Sequence, residues 1–121
     1  MIAVIFEVVP ADGQREHYLQ RAADLRSVLE TMDGFISIER FQSLSDSRRM
    51  LSLSFWRDED AVRAWRQLDE HRAAQVAGRA GVFHDYRLRV AEVVRDYGLH
   101  QRDEAPRDSQ QVHGGATPRS R

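Results

Sequence analysis

The chain has 121 residues, 41% hydrophobic and 31% charged, with a formal net charge of -1 and no cysteine. That length supplies one domain with a single two-layer core, and the balanced charge argues against a phosphate-backbone binder, which carries a basic stripe. Disulfides, thiolate metal sites and cysteine nucleophiles are excluded outright.

Residues 2–9 read as a strand, apolar on both faces except at Glu7 and therefore central in its sheet. No basic residue precedes this run, Glu7 interrupts it and Pro10 ends it, so it does not read as a signal peptide. No segment approaches the ~20 apolar residues of a membrane span, and a cytoplasmic location is expected. Residues 10–13 form a turn, with Asp12 the expected N-cap of the next helix. Over 14–32, Tyr18, Ala22, Leu25, Leu29 and Met32 recur at alternating steps of four and three, which places one apolar stripe on an amphipathic helix. Asp33-Gly34 ends it, the glycine suiting a left-handed C-cap.

A second strand is expected over 35–44, with Ile36 and Ile38 on one face and Phe35, Ser37, Glu39 and Phe41 on the other. The turn residues Ser45-Asp46-Ser47-Arg48 join it as a hairpin to a third strand over 50–57. There Leu51, Leu53 and Phe55 oppose Ser52, Ser54 and Trp56, and Trp56 is assigned to a subunit interface. A second helix, from about 58 to 76, turns Ala61, Val62, Trp65 and Leu68 inward. The acidic run Asp58-Glu59-Asp60 at its start suits the positive end of the helix dipole. After a breaker at 77–81, a last strand over 82–95 places Tyr86, Leu88, Val90 and Val94 on one face. Residues 101–121 hold almost no apolar side chain and are expected to form a disordered tail behind a domain of residues 1–100.

The order β-α-β-β-α-β predicts an α+β fold: a ferredoxin-like four-stranded antiparallel sheet with both helices on one face. The other face keeps apolar residues that one chain cannot cover, so a homodimer with two-fold symmetry is expected.

Particular stretches resemble the antibiotic biosynthesis monooxygenase (ABM) family of the dimeric α+β barrel superfamily. They are Asp33-Gly34-Phe35-Ile36-Ser37, Ser54-Phe55-Trp56-Arg57-Asp58, Ala61-Val62-Arg63-Ala64-Trp65 with His71, and Tyr86-Arg87-Leu88-Arg89-Val90. The resemblance covers residues 1–98. It implies two sheets packed as a dimeric barrel, with a cavity in each subunit between sheet and helices. It also implies a cofactor-independent monooxygenase that takes a small aromatic or quinol-type substrate and dioxygen. Such an enzyme needs an apolar pocket, a donor for the developing oxyanion and a proton acceptor.

On that resemblance Trp65, His71 and Arg87 are the candidate catalytic residues, and Phe6, Tyr86 and Gln75 the candidate pocket residues. Trp65 would form a wall and His71, of the type that titrates nearest neutral pH, the acceptor. Arg87 or Tyr86 would polarise an oxyanion; as strand neighbours, only one of them can face the cavity. Plainer roles compete: Trp65 as a core aromatic, His71 as a cation favoured at a helix end, Tyr86 as core. Glu7 is a further candidate base. In haem-degrading relatives an asparagine, a tryptophan and a histidine matter, and their positions fall on Phe6, Trp65 and Gln75. Two of the three differ, which makes haem binding the lesser alternative, beside that of a non-catalytic small-molecule-binding barrel. His17, His84, His100 and His113 show no metal-ligand spacing; neither metal nor nucleic acid is expected.

Overall fold

In a computed structural model of the chain, strand β1 (Ile2–Pro10) lies at the centre of one antiparallel sheet. It pairs on one side with β3 (Met50–Trp56) and on the other with β4 (Phe83–Glu92), while β2 (Phe35–Gln42) takes the edge beside β3. Helices α1 (Arg15–Leu29) and α2 (Glu59–Gln75) make the two crossovers. The structure describes residues 1–75 and 81–109, and side chains within those ranges except at 69–75. No helix among the described residues is long and apolar enough to cross a membrane. The ferredoxin-like order predicted from the pattern is the observed one.

Residues paired across antiparallel strands project to the same face, so the register can be read in rows across the sheet. Phe35, Trp56, Ile2 and Glu92 form one row, and Ile38, Ser54, Val4 and Val90 the next. Arg40, Ser52, Phe6 and Leu88 form the third, and Gln42, Met50, Val8 and Tyr86 the fourth. This is the helix-facing surface. Ile2 and Trp56 pack with Leu29, Ala61 and Val62, while Val8 and Met50 pack with Tyr18 and Val82. Two expectations are thereby corrected. Trp56 is only 1% exposed and sits in the core beneath the helices, not at a subunit interface. Phe35 joins it there because the register shifts between Phe35 and Ser37, and the extra residue, Ile36, reverses the alternation.

The opposite face carries Ala3 and Val9, both buried, with Ile5, Leu51, Leu53 and Phe55 half-buried and Phe41 exposed. A depression of about 250 Å³ opens at its hairpin end, lined by Glu7, Phe41, Gln42, Leu51 and their neighbours. Of the sequence-predicted site residues with described side chains, Glu7 alone lines it.

Helix α1 buries Tyr18, Ala22 and Leu29 of the predicted stripe, with Leu25 and Met32 half-buried. Its N-cap is Gln14 rather than Asp12, and no side chain caps it; Asp12 lies two residues further out, in the turn closed by the Gln14 N–H on the Ala11 carbonyl. Residues 101–109, expected to begin the disordered tail, instead gather around Arg102. Its guanidinium donates to the Gly98 carbonyl and to Ser109 and lies over the Tyr97 ring, while Ala105 is buried. A charge-rich segment can order itself when one guanidinium satisfies several acceptors at once. The rest of that tail, 110–121, lies outside the described residues.

Candidate functional site

Strand β3 runs into α2 through a charged junction. The Arg57 guanidinium donates to both carboxylate oxygens of Asp33, at 3.0 and 3.1 Å, and to Asp58 at 3.0 Å. Asp58 accepts the Ala61 backbone N–H at 2.9 Å and so caps α2. That N–H, helped by Arg57, holds the Asp58 carboxyl below its ordinary value; Arg57 does the same to Asp33. Arg57 in turn is held more firmly protonated by Asp33 and Asp58. Gly34 closes the junction with φ +86°, accepting the Arg57 N–H at 2.7 Å, and a Cβ there would stand 2.6 Å from that of Ala61. The tight approach sets the first turn of α2 against the start of β2 and thereby aims Trp65 at the sheet.

Two aromatic groups occupy the ends of the helix-facing surface. At one end Trp56 meets Phe35 edge-on at 5.3 Å and stacks with Trp65 at 6.4 Å, its rings 28° apart. The buried Trp56 indole N–H donates to the Ser54 hydroxyl at 2.9 Å. At the other end Phe6, Phe83 and Tyr86 meet pairwise at 5.6 to 5.9 Å, and Tyr18 of α1 closes on Phe83 at 5.8 Å. The outer rows lie six residues apart along β1, about 20 Å. Such pairs add about 0.5–1.5 kcal/mol each beyond burial, so both ends are firmly filled.

The middle is built of smaller side chains: Val4, Ser52 and Ser54 on the strands and Ala22 on the helix. Ser52 is buried, and no side-chain hydrogen bond joins it to another described residue. Arg40 lies beside it in the register, half-buried, its Nε closed off from solvent without a hydrogen-bond partner. Along β4 the same face is open, with Tyr86, Leu88 and Val90 exposed to 59%, 51% and 45%. The arrangement is an apolar trough with large rings at its ends, an open side at β4 and polar groups at its centre. Small-molecule sites have this character, mostly apolar with a few convergent polar groups.

The sequence-predicted residues divide accordingly. Trp65 belongs to the first aromatic group, and Phe6 and Tyr86 to the second. Arg87 pairs with Glu7 in the register and faces away from the helices, so of the two strand neighbours Tyr86 is the one in the trough. The side chains of His71 and Gln75 on α2 lie outside the described residues. Glu7 also points to the far face, where it accepts from Arg89 at 3.1 Å; it does not reach the trough as a base. His17, His84 and His100 are exposed, and His113 lies outside the described residues. Among the described residues no three His, Cys, Asp or Glu side chains come together as a metal site.

Sequence reasoning missed Arg40, Ser52 and Phe83 as parts of this surface. The signal was present on β3, where Met50 and Trp56 share their parity with Ser52 and Ser54. Two large apolar residues flanking two serines mark a core face with small polar side chains at its centre.

Residues 1–77 match the sequence profile described as antibiotic biosynthesis monooxygenase. Over 93 residues, 77% of the chain, 50% are identical to a jasmonate monooxygenase ABM of Pyricularia oryzae. The matched region spans only 43% of that longer protein. The uncharacterized protein YqjZ of Bacillus subtilis is 32% identical over 93 residues, covering 77% of this chain and 79% of its own length. Among solved structures, the haem-degrader MhuD of Mycobacterium tuberculosis superposes with a TM-score of 0.62 at 23% identity, over 81% of this chain and the whole of that one. This last likeness shows the fold alone.

Proposed function

This chain belongs to the antibiotic biosynthesis monooxygenase family, and from that premise we propose that it oxygenates a small alicyclic keto acid of the jasmonate type, using dioxygen without a bound cofactor. The observation that carries this reading is the helix-side trough, in a chain half identical over 93 residues to a jasmonate monooxygenase. Jasmonate joins a cyclopentanone ring to an alkenyl chain and a carboxylate. Its apolar bulk suits the aromatic rings of the trough, its carboxylate the polar centre, and its ketone oxygen the Tyr86 hydroxyl. The relative favours such a molecule over the aromatic or quinol substrate expected from family resemblance.

The chemistry follows from the ketone. Loss of a proton from a methylene beside it gives an enolate, which supplies the electrons that dioxygen needs. The methylene and O2 become a carbonyl and water. Tyr86 donates a hydrogen bond to the enolate oxygen, Trp65 walls the ring, and His71 is the proposed acceptor for the proton. Haem fits less well: Phe6, on the floor of the trough, has no atom that could ligate iron or bond to an iron-bound ligand.

The apolar far face supports a homodimer in which two sheets cover one another, the exposed Phe41 and half-buried Leu53 and Phe55 among the residues to be enclosed. Light scattering should then return twice the 14.0 kDa of one chain. The catalytic reading is tested with metal-stripped protein, jasmonic acid and a panel of anthrones and naphthols. Oxygen uptake above the autoxidation blank should appear with jasmonic acid and fall at least tenfold in Trp65→Phe or Tyr86→Phe. Uptake with the aromatic panel alone would return the substrate to a phenol, and a Soret band on haem titration would favour the haem alternative.

A further inference from the structure

Arg40 is the one helix-facing cation among the four rows of the sheet. It stands on β2 in register with Ser52, between Ile38 and Gln42 on the same face. Its residue as a whole is half-buried, and its Nε is shut off from solvent with no partner to accept the hydrogen. The carboxylates of the described ion pairs are engaged elsewhere: Asp33 and Asp58 by Arg57, Glu7 by Arg89, Asp46 by Arg48. Gln42, the next residue on that face, folds its amide back onto the hairpin carbonyls of Ser47 and Arg49 at 3.0 and 2.9 Å and offers Arg40 nothing.

A sequestered N–H without an acceptor is costly, typically about 1–3 kcal/mol and more when the group is charged. A guanidinium in that condition is poised for an anion, because its rigid fork matches the two oxygens of a carboxylate. Ser52, adjacent in the register and buried, has a hydroxyl that can supply a further donor. Phe6 and Leu88 complete the same row and offer apolar surface to whatever is attached to the anion.

We propose that Arg40, assisted by Ser52, binds the carboxylate of the substrate and so sets its orientation along the trough. This deepens the functional reading above and rests on it for the identity of the acid. With the carboxylate held at β2, the body of the molecule crosses β3 and β1 toward the open side at β4, where Tyr86 stands. Specificity for a free acid over its ester then resides in a residue far from the reacting carbon. Arg40 is thus a specificity residue rather than a proton-transfer group.

The test is calorimetric binding of that acid and its methyl ester to the full chain at pH 7, for wild type, Arg40→Leu, Arg40→Gln and Arg40→Lys. Wild type should bind the acid at least tenfold more tightly than the ester. Both neutral variants should lose that preference by weakening acid binding alone, and lysine, a point charge without the fork, should retain part of it. Unchanged ester affinity in the neutral variants reports that the trough is intact, and the use of two substitutions guards against one that fails to fold. Equal affinity of wild type for acid and ester overturns the proposal. So does a parallel loss for both ligands in the variants, or binding of neither ligand. Because binding is read without turnover, acid preference in a protein that consumes no oxygen would sustain the Arg40 site while refuting the oxygenase reading.

Discussion

Replacing Gly34 by alanine should destabilise the chain by about 2–5 kcal/mol, and the figure can be assembled from the junction it closes. A φ of +86° costs a residue with a Cβ roughly 1–2 kcal/mol. The new Cβ would lie 2.6 Å from the Ala61 Cβ, well inside contact distance, and both carbons sit on stiff backbone. Overpacking of that kind adds about 1–3 kcal/mol. Urea unfolding followed by tryptophan fluorescence gives the total, because Trp56 and Trp65 lie just beyond the junction. Removing the opposing methyl separates the two contributions. In a double-mutant cycle with Ala61→Gly, the overlap disappears and the strain at φ remains, so a favourable coupling of about 1–3 kcal/mol is expected. A Gly34→Ala cost below about 0.5 kcal/mol, or no coupling to Ala61, would refute the account of how α2 is held against β2.

Ser54→Ala should cost about 1–3 kcal/mol by leaving the buried Trp56 indole N–H without its acceptor; a neutral result in urea unfolding would mean that another acceptor replaces it. Asp58 contributes stability because its carboxyl is held low in the folded chain by the Ala61 N–H and Arg57. That contribution is complete above the ordinary carboxylate value of about 3.9 and is lost as pH falls through the lower folded value. Wild type should therefore exceed Asp58→Ala in stability at neutral pH, with the gap closing below about pH 4; a gap that widened in acid would contradict the assignment. Arg87→Ala should leave turnover within about twofold, since Arg87 is on the face away from the trough; a large loss would require that face to contribute to the site.

Much of the fold was legible because the apolar spacing in α1, the unbroken apolar run of β1 and the alternation of β3 each identify the element, though not always its inward face. What failed had local causes. A single inserted residue at Ile36 reversed the face of Phe35, and nothing in the composition of Phe35-Ile36-Ser37 announces a bulge. Trp56 is misplaced from the sequence because Leu51, Leu53 and Phe55 make the other face of β3 look like the core, whereas Met50, of the same parity as Ser52, Ser54 and Trp56, joins the core beneath the helices. The α1 cap was misassigned because Asp12 is a good capping residue by type, yet the turn closed two residues later. Arg40 escaped notice for a different reason. A charged residue on an edge strand normally reads as solvent-facing, and only the register with Ser52 turns it toward the helices. Family resemblance supplied Trp65, Phe6 and Tyr86, but it could not bring the polar centre of the trough into view.

The central claim is that the helix-side trough oxygenates a jasmonate-type acid, and isotope-labelled turnover tests it most directly. Purified, metal-stripped protein is incubated with jasmonic acid under 18O2, and the product is resolved by mass. The account predicts one labelled oxygen in the product, oxygen consumed in equal amount, and loss of both in Trp65→Phe and Tyr86→Phe. Unlabelled substrate recovered intact, or labelled product formed equally by those variants, would contradict it.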